Sequence, residues 1–248
     1  MIVWLLLCSA ALAQRPSHQL TWKLTADGEH LGWRVVEVSW PDDEHRVFAG
    51  HTWFEKGRRK RRTFEQHLSA NAEQGRPASF SATLQRADGA LEVQARRAGV
   101  TWTVTVADAR GARTHSLPHT RVDLSSVDLF DPMSERGLRG RSHVRLLSAE
   151  TGKIEEGPVE YLGNEELVIG GELLFTAVYR WSTEVGVHRY WYASNGWLVR
   201  FEVPLQERMV EGELYGGAPR SADEFPVPAA FRPGPIQVVE LPSAAGVP

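Results

Sequence analysis

The sequence predicts a mainly β protein: a large curved antiparallel meander sheet, or an unclosed barrel, with a short helical connection lying against it. Three observations carry that expectation. Short runs alternate apolar and polar residues, as in Phe80, Ala82 and Leu84, with Ser81 and Thr83 between them. That alternation belongs to strands with one packed and one wet face. Turn dipeptides punctuate the runs, among them Asp27-Gly28, Asp88-Gly89, Gly170-Gly171 and Asn195-Gly196. They supply the backbone freedom that tight hairpins need, and Asn-Gly predicts a type I′ turn. One segment only, residues 120–140, interrupts the alternation. A chain of 248 residues fits one large β domain or two small ones, and no Gly/Ser/Pro linker divides it, which favours one.

The chain opens with Ile2-Val3-Trp4-Leu5-Leu6-Leu7-Cys8, followed by small residues and Ala11-Leu12-Ala13. A short apolar core with a small-x-small boundary reads as a signal peptide over residues 1–13, leaving Gln14 first in the mature chain. Leu7 stands where a lipoprotein signal places a small residue, so cleavage rather than lipidation at Cys8 is expected. Cys8 is the one cysteine, so a mature chain has no disulfide, no thiolate metal site and no thiol nucleophile. Export without disulfides suits a bacterial periplasm, and a secreted destination is the other option. After signal removal no run of roughly 20 apolar residues remains to span a membrane. A net charge of -3 argues against a nucleic-acid partner.

Leu20–Thr25, Trp33–Trp40 and Arg46–Glu55 each have the length and composition of one strand. Lys56 to Arg62 follows with Lys56, Arg58, Arg59, Lys60, Arg61 and Arg62 broken only by Gly57. Such a run is either a solvated hairpin tip that discourages edge pairing or a contact for a polyanion or an acidic partner. Thr63–Ala72 fits a short helix or a strand, since Phe64, His67 and Leu68 have helical spacing. Three cleaner strands run through Phe80–Leu84, Leu91–Ala95 and Trp102–Val106. Val122 to Phe130 is spaced like a short helix capped by Ser125 or Ser126 and stopped at Asp131-Pro132. A second set of strands is expected at His143–Leu147, Ile154–Tyr161, Glu166–Ile169, Leu173–Trp181, Val187–Tyr192, Trp197–Val203 and Met209–Tyr215. Half of the fourteen prolines fall after Gly216. Residues 14–216 therefore read as a single β-sheet domain and 217–248 as a loose Pro-rich tail, apart from a possible strand over 236–240.

The order Asp128-Leu129-Phe130-Asp131-Pro132, Ser148-Ala149-Glu150-Thr151-Gly152, Tyr161-Leu162-Gly163, Tyr179-Arg180-Trp181, Tyr190-Trp191-Tyr192 and Asn195-Gly196-Trp197 resembles exported bacterial proteins of unknown function. Those proteins form one large twisted antiparallel sheet, broadly similar to the unclosed barrel of the periplasmic lipoprotein-localisation factors. The resemblance covers roughly residues 120–215. It rests on turns and core aromatics, so it implies a fold and carries over no catalytic residue.

No catalytic residue, cofactor or metal is expected from the residues themselves. His115 and His119 are four apart, but Pro118 between them argues against a helix that would present both. Asp123, Asp128 and Asp131 lack the Gly and Glu of a calcium loop. Ser125 and Ser126 lack a nucleophile elbow. Phe175, Tyr179 and Trp181 are expected on one strand face, as are Trp197, Val199 and Phe201. Large aromatics on a covered sheet face are ordinarily core. If the sheet is open and curved, Phe175, Tyr179, Trp181, Trp197 and Phe201 are the candidates to receive an acyl chain or another apolar ligand. The expected function is a non-catalytic exported binding or carrier protein for a hydrophobic or envelope ligand. The alternative is an envelope scaffold using residues 56–62.

Overall fold

Fifteen strands form one sheet in the computed structural model, which describes residues 17–56, 61–73, 76–86, 89–130, 137–205 and 208–216. The expected signal peptide, the proline-rich tail and its possible strand lie outside the described residues. The N-terminal strands are β1 (His18–Ala26), β2 (Glu29–Ser39), β3 (His45–Lys56), β4 (Arg61–Glu73), β5 (Arg76–Arg86), β6 (Gly89–Ala98), β7 (Thr101–Asp108) and β8 (Gly111–Pro118). A 3-10 turn, His119–Arg121, leads to the two-residue β9 (Leu124–Ser125) and to α1 (Ser126–Phe130). The second set is β10 (His143–Leu147), β11 (Ile154–Ile169), β12 (Glu172–Thr183), β13 (Gly186–Ala193), β14 (Leu198–Leu205) and β15 (Arg208–Gly216).

The spatial order runs β8 to β1, then β15 down to β9. Two meanders thus share one sheet, and the first strand pairs with the last, Trp22 opposite Leu214 and Leu24 opposite Gly212. All pairings are antiparallel except β9–β10. The sheet does not close, because β8 and β9 are its edges. The architecture is the mainly β unclosed barrel that the alternation predicts.

Each strand turns one set of side chains inward. Leu20, Trp22 and Leu24, then Val36 and Val38, Phe48 and Phe54, Phe64 and Leu68, Phe80 and Leu84, and Val93 and Trp102 are all buried. Fully burying a side chain of this size is worth about 1.5–3 kcal/mol, and the interior is built from such pieces. The connection α1 lies inside the curve with all five residues buried. Phe130 meets Trp22 edge-on at 5.9 Å and Phe201 at 5.3 Å, and Tyr192 donates its hydroxyl to Leu129 O at 3.1 Å. Trp22 Nε1 donates to Leu198 O, which ties the seam strand β1 to β14.

The turn between β10 and β11 reaches across the curve. A Cβ on Gly152 would sit 2.3 Å from Val106 Cγ2 and 3.3 Å from Val93 Cγ1, and the residue has φ +68. The turn therefore presses its backbone against the inner faces of β6 and β7, bringing the two meanders together without strand pairing.

One open alternative is decided and three expectations need correction. Thr63–Ala72 is strand, within β4, because Phe64, Leu68, Ala70 and Ala72 all face inward. Ile154–Tyr161 and Glu166–Ile169 are one strand, β11, with a register shift between Tyr161 and Gly163 where the alternation skips. The Asn195-Gly196 hairpin is not type I′. Asn195 keeps a negative φ, Gly196 has φ +90 and donates to Ala193 O, and Ala193 N donates to Trp197 O. That pattern belongs to a three-residue loop with a left-handed glycine. Paired positive φ occurs instead at Asp27 (52) and Gly28 (77) and at Gly170 (61) and Gly171 (85). Finally, Trp197, Val199 and Phe201 do not keep one face. Tyr192 pairs with Leu198 but Trp191 with Arg200, so the register shifts inside β14.

Candidate functional site: an aromatic face that opens at one end

On β12 the inward row is Leu173, Phe175, Ala177, Tyr179 and Trp181, and it changes character along the strand. Trp181 is 1% exposed and Tyr179 9%, whereas Phe175 is 62% and Leu173 54% exposed. The reason is the length of the neighbours. β13 pairs with β12 only as far as Thr176, while the β11–β12 pairing continues to Ile169 and Glu172. A two-stranded ribbon therefore projects beyond the sheet. On the face that continues this row Val168 lies opposite Leu173, Glu166 opposite Phe175 and Tyr161 opposite Tyr179, and Val168 (68%) and Tyr161 (53%) are open to solvent. Leu167, Ile169 and Leu174 pack the ribbon's other face on the core. Tyr161 and Tyr179 are in ring contact at 5.4 Å.

The other aromatic candidates are core. Trp197 is 3% and Phe201 1% exposed. Phe201 lies between Trp22 and Phe130 and covers Gly212, where a Cβ would come within 2.2 Å of the ring. Of the five aromatic candidates, the structure leaves Phe175 in the open and packs Tyr179, Trp181, Trp197 and Phe201. Of the basic run, Arg58, Arg59 and Lys60 lie outside the described residues. Lys56 closes β3 and pairs with Arg61 at the start of β4.

Behind the aromatic row sits a polar interior that the sequence pattern did not reveal. Glu150, at the crossing turn, accepts from Gln66 Nε2 at 3.1 Å, Ser148 Oγ at 3.2 Å and Ser126 Oγ at 3.3 Å. Arg34, 8% exposed, stacks 3.5 Å over Phe130, and its Nε has no hydrogen-bond partner among the described residues. Burial lowers its guanidinium to about 10, against the pull of Glu150, so it stays charged at neutral pH. His188 lies against Trp181 at 4.8 Å, and burial lowers its imidazole to about 4. Burial raises the phenol of Tyr190 well above its ordinary value and pushes up the Glu155 carboxyl. Asp128 accepts from Ser125 N at 2.6 Å and Ser125 Oγ at 2.8 Å, which makes it a positioning group for the entry to α1. The serine hydroxyl is thus held by the Asp128 carboxylate. Ser148 and Ser125 are near their partners in sequence, but Gln66 and Ser126 reach Glu150 from 84 and 24 residues away, so no local motif announces the cluster.

His115 lies on β8 opposite Val104 and His119 in the following 3-10 turn, so no helical face presents them together. Asp123 instead takes a paired contact from Arg145, Nε to Oδ2 and Nη2 to Oδ1, both at 2.9 Å, which holds its carboxyl below the usual range. On the outer face, His51, Glu65 and His67 bring their ligating atoms within 4.8 Å of one another. Sequence reading missed this group because its members come from different strands.

No protein-family model matches the chain, and no curated protein matches it. Among solved structures the chain is similar to the beta-barrel-like protein of the domain of unknown function DUF1849 from Brucella abortus. The TM-score is 0.55 at 12% identity, covering 82% of this chain and 97% of that one. A hypothetical lipoprotein, YmcC from Escherichia coli, superposes at TM-score 0.33 and 10% identity over 83% of this chain and 89% of its own; at that score the likeness carries no inference. The first likeness shows a shared sheet fold. Among the described residues no helix is long and apolar enough to cross a membrane.

Proposed function

We propose that the protein is an exported, periplasmic, non-catalytic binding or carrier protein for a hydrophobic ligand of the cell envelope. The observation that supports this is the inward row of β11 and β12, which passes from the packed Trp181 and Tyr179 to the open Phe175, Leu173, Val168 and Tyr161. Isolated exposed apolar residues are ordinary. Val168, Leu173 and Phe175 together continue the Trp181–Tyr179 row on the open face of the ribbon, beside Glu166, while Leu167, Ile169 and Leu174 pack its other face on the core, and such a strip supports a binding surface. The interior behind it is filled by Trp22, Phe130, Trp181 and Phe201, so an acyl chain lies along the ribbon and the rim of the sheet, not deep within it. Covering exposed apolar surface is worth about 25 cal/mol per Å², less the cost of ordering the bound chain.

Titration with a fluorescent long-chain fatty acid tests the proposal. Saturable binding is expected, weakened about tenfold or more when Leu173 and Phe175 are both replaced by Glu, since each change buries or exposes charge where the chain would lie. Both positions are exposed, so folding survives the change. Undiminished binding in the double variant would place the ligand elsewhere.

A further inference from the structure

We propose that His51, Glu65 and His67 form a site for a zinc-class divalent cation on the outer face of β3 and β4. His51 stands directly opposite His67 in the antiparallel register, and Glu65 is two residues along the same strand face as His67. The two imidazoles stack at 4.2 Å with 13° between their planes, which sets both Nε2 atoms side by side. Glu65 Oε1 lies 2.9 Å from His51 Nε2 and 3.3 Å from His67 Nε2. All three ligating atoms fall within 4.8 Å of one another.

Those separations lie near the ligand spacing of a metal site. Zinc bonds to imidazole nitrogen and carboxylate oxygen are about 2.0–2.2 Å long, so tetrahedral ligands stand about 3.3–3.5 Å apart. A cation enters by small side-chain rotations with no movement of the strands. Two nitrogens and one oxygen form a borderline donor set, which favours zinc and its first-row neighbours over calcium or magnesium. The register fixes the ligands before the metal arrives, and Trp53 packs against the His51 ring at 4.6 Å while its Nε1 donates to Glu55 Oε1. His51 and His67 also line one wall of a groove of ≈ 370 Å³ that continues past Ser69, Ser81 and Thr83. Three protein ligands leave a fourth coordination position, beside the groove that His51 and His67 line. A water or a small ligand with its own donor atom can fill it.

The test is titration of tag-free, chelator-stripped protein with Zn²⁺ by calorimetry and with Co²⁺ by visible absorption. One Zn²⁺ per chain is expected, with affinity lowered by at least about tenfold in His51→Ala, His67→Ala and Glu65→Gln, the least loss expected when a ligand rather than an outer-shell partner is removed. The Co²⁺ absorption bands of a low-symmetry nitrogen–oxygen site should appear with the wild type and vanish in His67→Ala. His115→Ala, on β8, should bind as the wild type does. The His67 side chain is 59% exposed, so unchanged thermal melting of the metal-free variant is expected and separates loss of the site from loss of the fold. Zinc binding that keeps its affinity in both histidine variants, or no saturable binding at all, would overturn the proposal and leave the three residues as a cross-strand polar cluster.

Discussion

His188 stands in the interior between Trp181 and Tyr190, 6% exposed. Its imidazole titrates near 4 because burial disfavours the charged form, with Glu150 pulling weakly the other way. The sign of the linkage follows. In the unfolded chain an imidazole takes up a proton near pH 6.5, whereas the folded protein refuses it until about pH 4, so protons favour the unfolded state across that window. Stability is unaffected by this group above pH 6.5 and falls as pH drops towards 4, by roughly 3 kcal/mol. Urea unfolding at pH 7.0, 5.5 and 4.5 should show that fall in the wild type and a shallower one in His188→Gln. No reading of the local sequence Gly186-Val187-His188-Arg189 exposes this behaviour, because what buries His188 is the pairing with Trp181 on β12. The same holds for Arg34, whose neighbours Phe130 and Glu150 lie far along the chain.

Strand by strand, the sequence was legible wherever one face is packed and the other wet. The limits of β10, β12, β13 and β15 differ from their expected ones by two residues at most, since alternation there coincides with turn chemistry. Legibility failed in two physical situations. β8 is an edge strand, exposed at nearly every position, so no apolar rhythm marks it. β14 carries a register shift, and a single extra residue moves side chains to the other face. Gly212 shows how pairing imposes a residue choice. It lies opposite Phe201, whose ring occupies the space a Cβ would need. Gly212→Ala should drive Phe201 from its place against Phe130 and lower the unfolding free energy by about 1–3 kcal/mol. Phe201→Leu in the same background should recover part of the loss, which denaturant titration of the three variants would measure.

At the scale of the whole molecule, two contacts make a curved sheet into a barrel-like body: the β1–β15 seam and the turn around Gly152. The seam has strand pairing to hold it. The turn packs closely on Val93, Val104 and Val106, and Gln66 donates a hydrogen bond to Glu150. Gly152→Val should therefore destabilise by roughly 2–4 kcal/mol, combining a left-handed backbone with an occupied site. Hydrogen exchange should locate the loss in β6 and β7 more than in β13 and β14. The candidate ligand face was half legible: the aromatic residues of β12 were identified, but which of them is open depends on where β13 stops, a tertiary fact.

The carrier proposal is tested most directly by native mass spectrometry of protein purified without detergent from its own host. A population carrying one lipid-sized adduct is expected, released on collisional activation and depleted when Leu173 and Phe175 are both replaced by Glu. Protein that flies only at its bare mass, in wild type and variant alike, would contradict it.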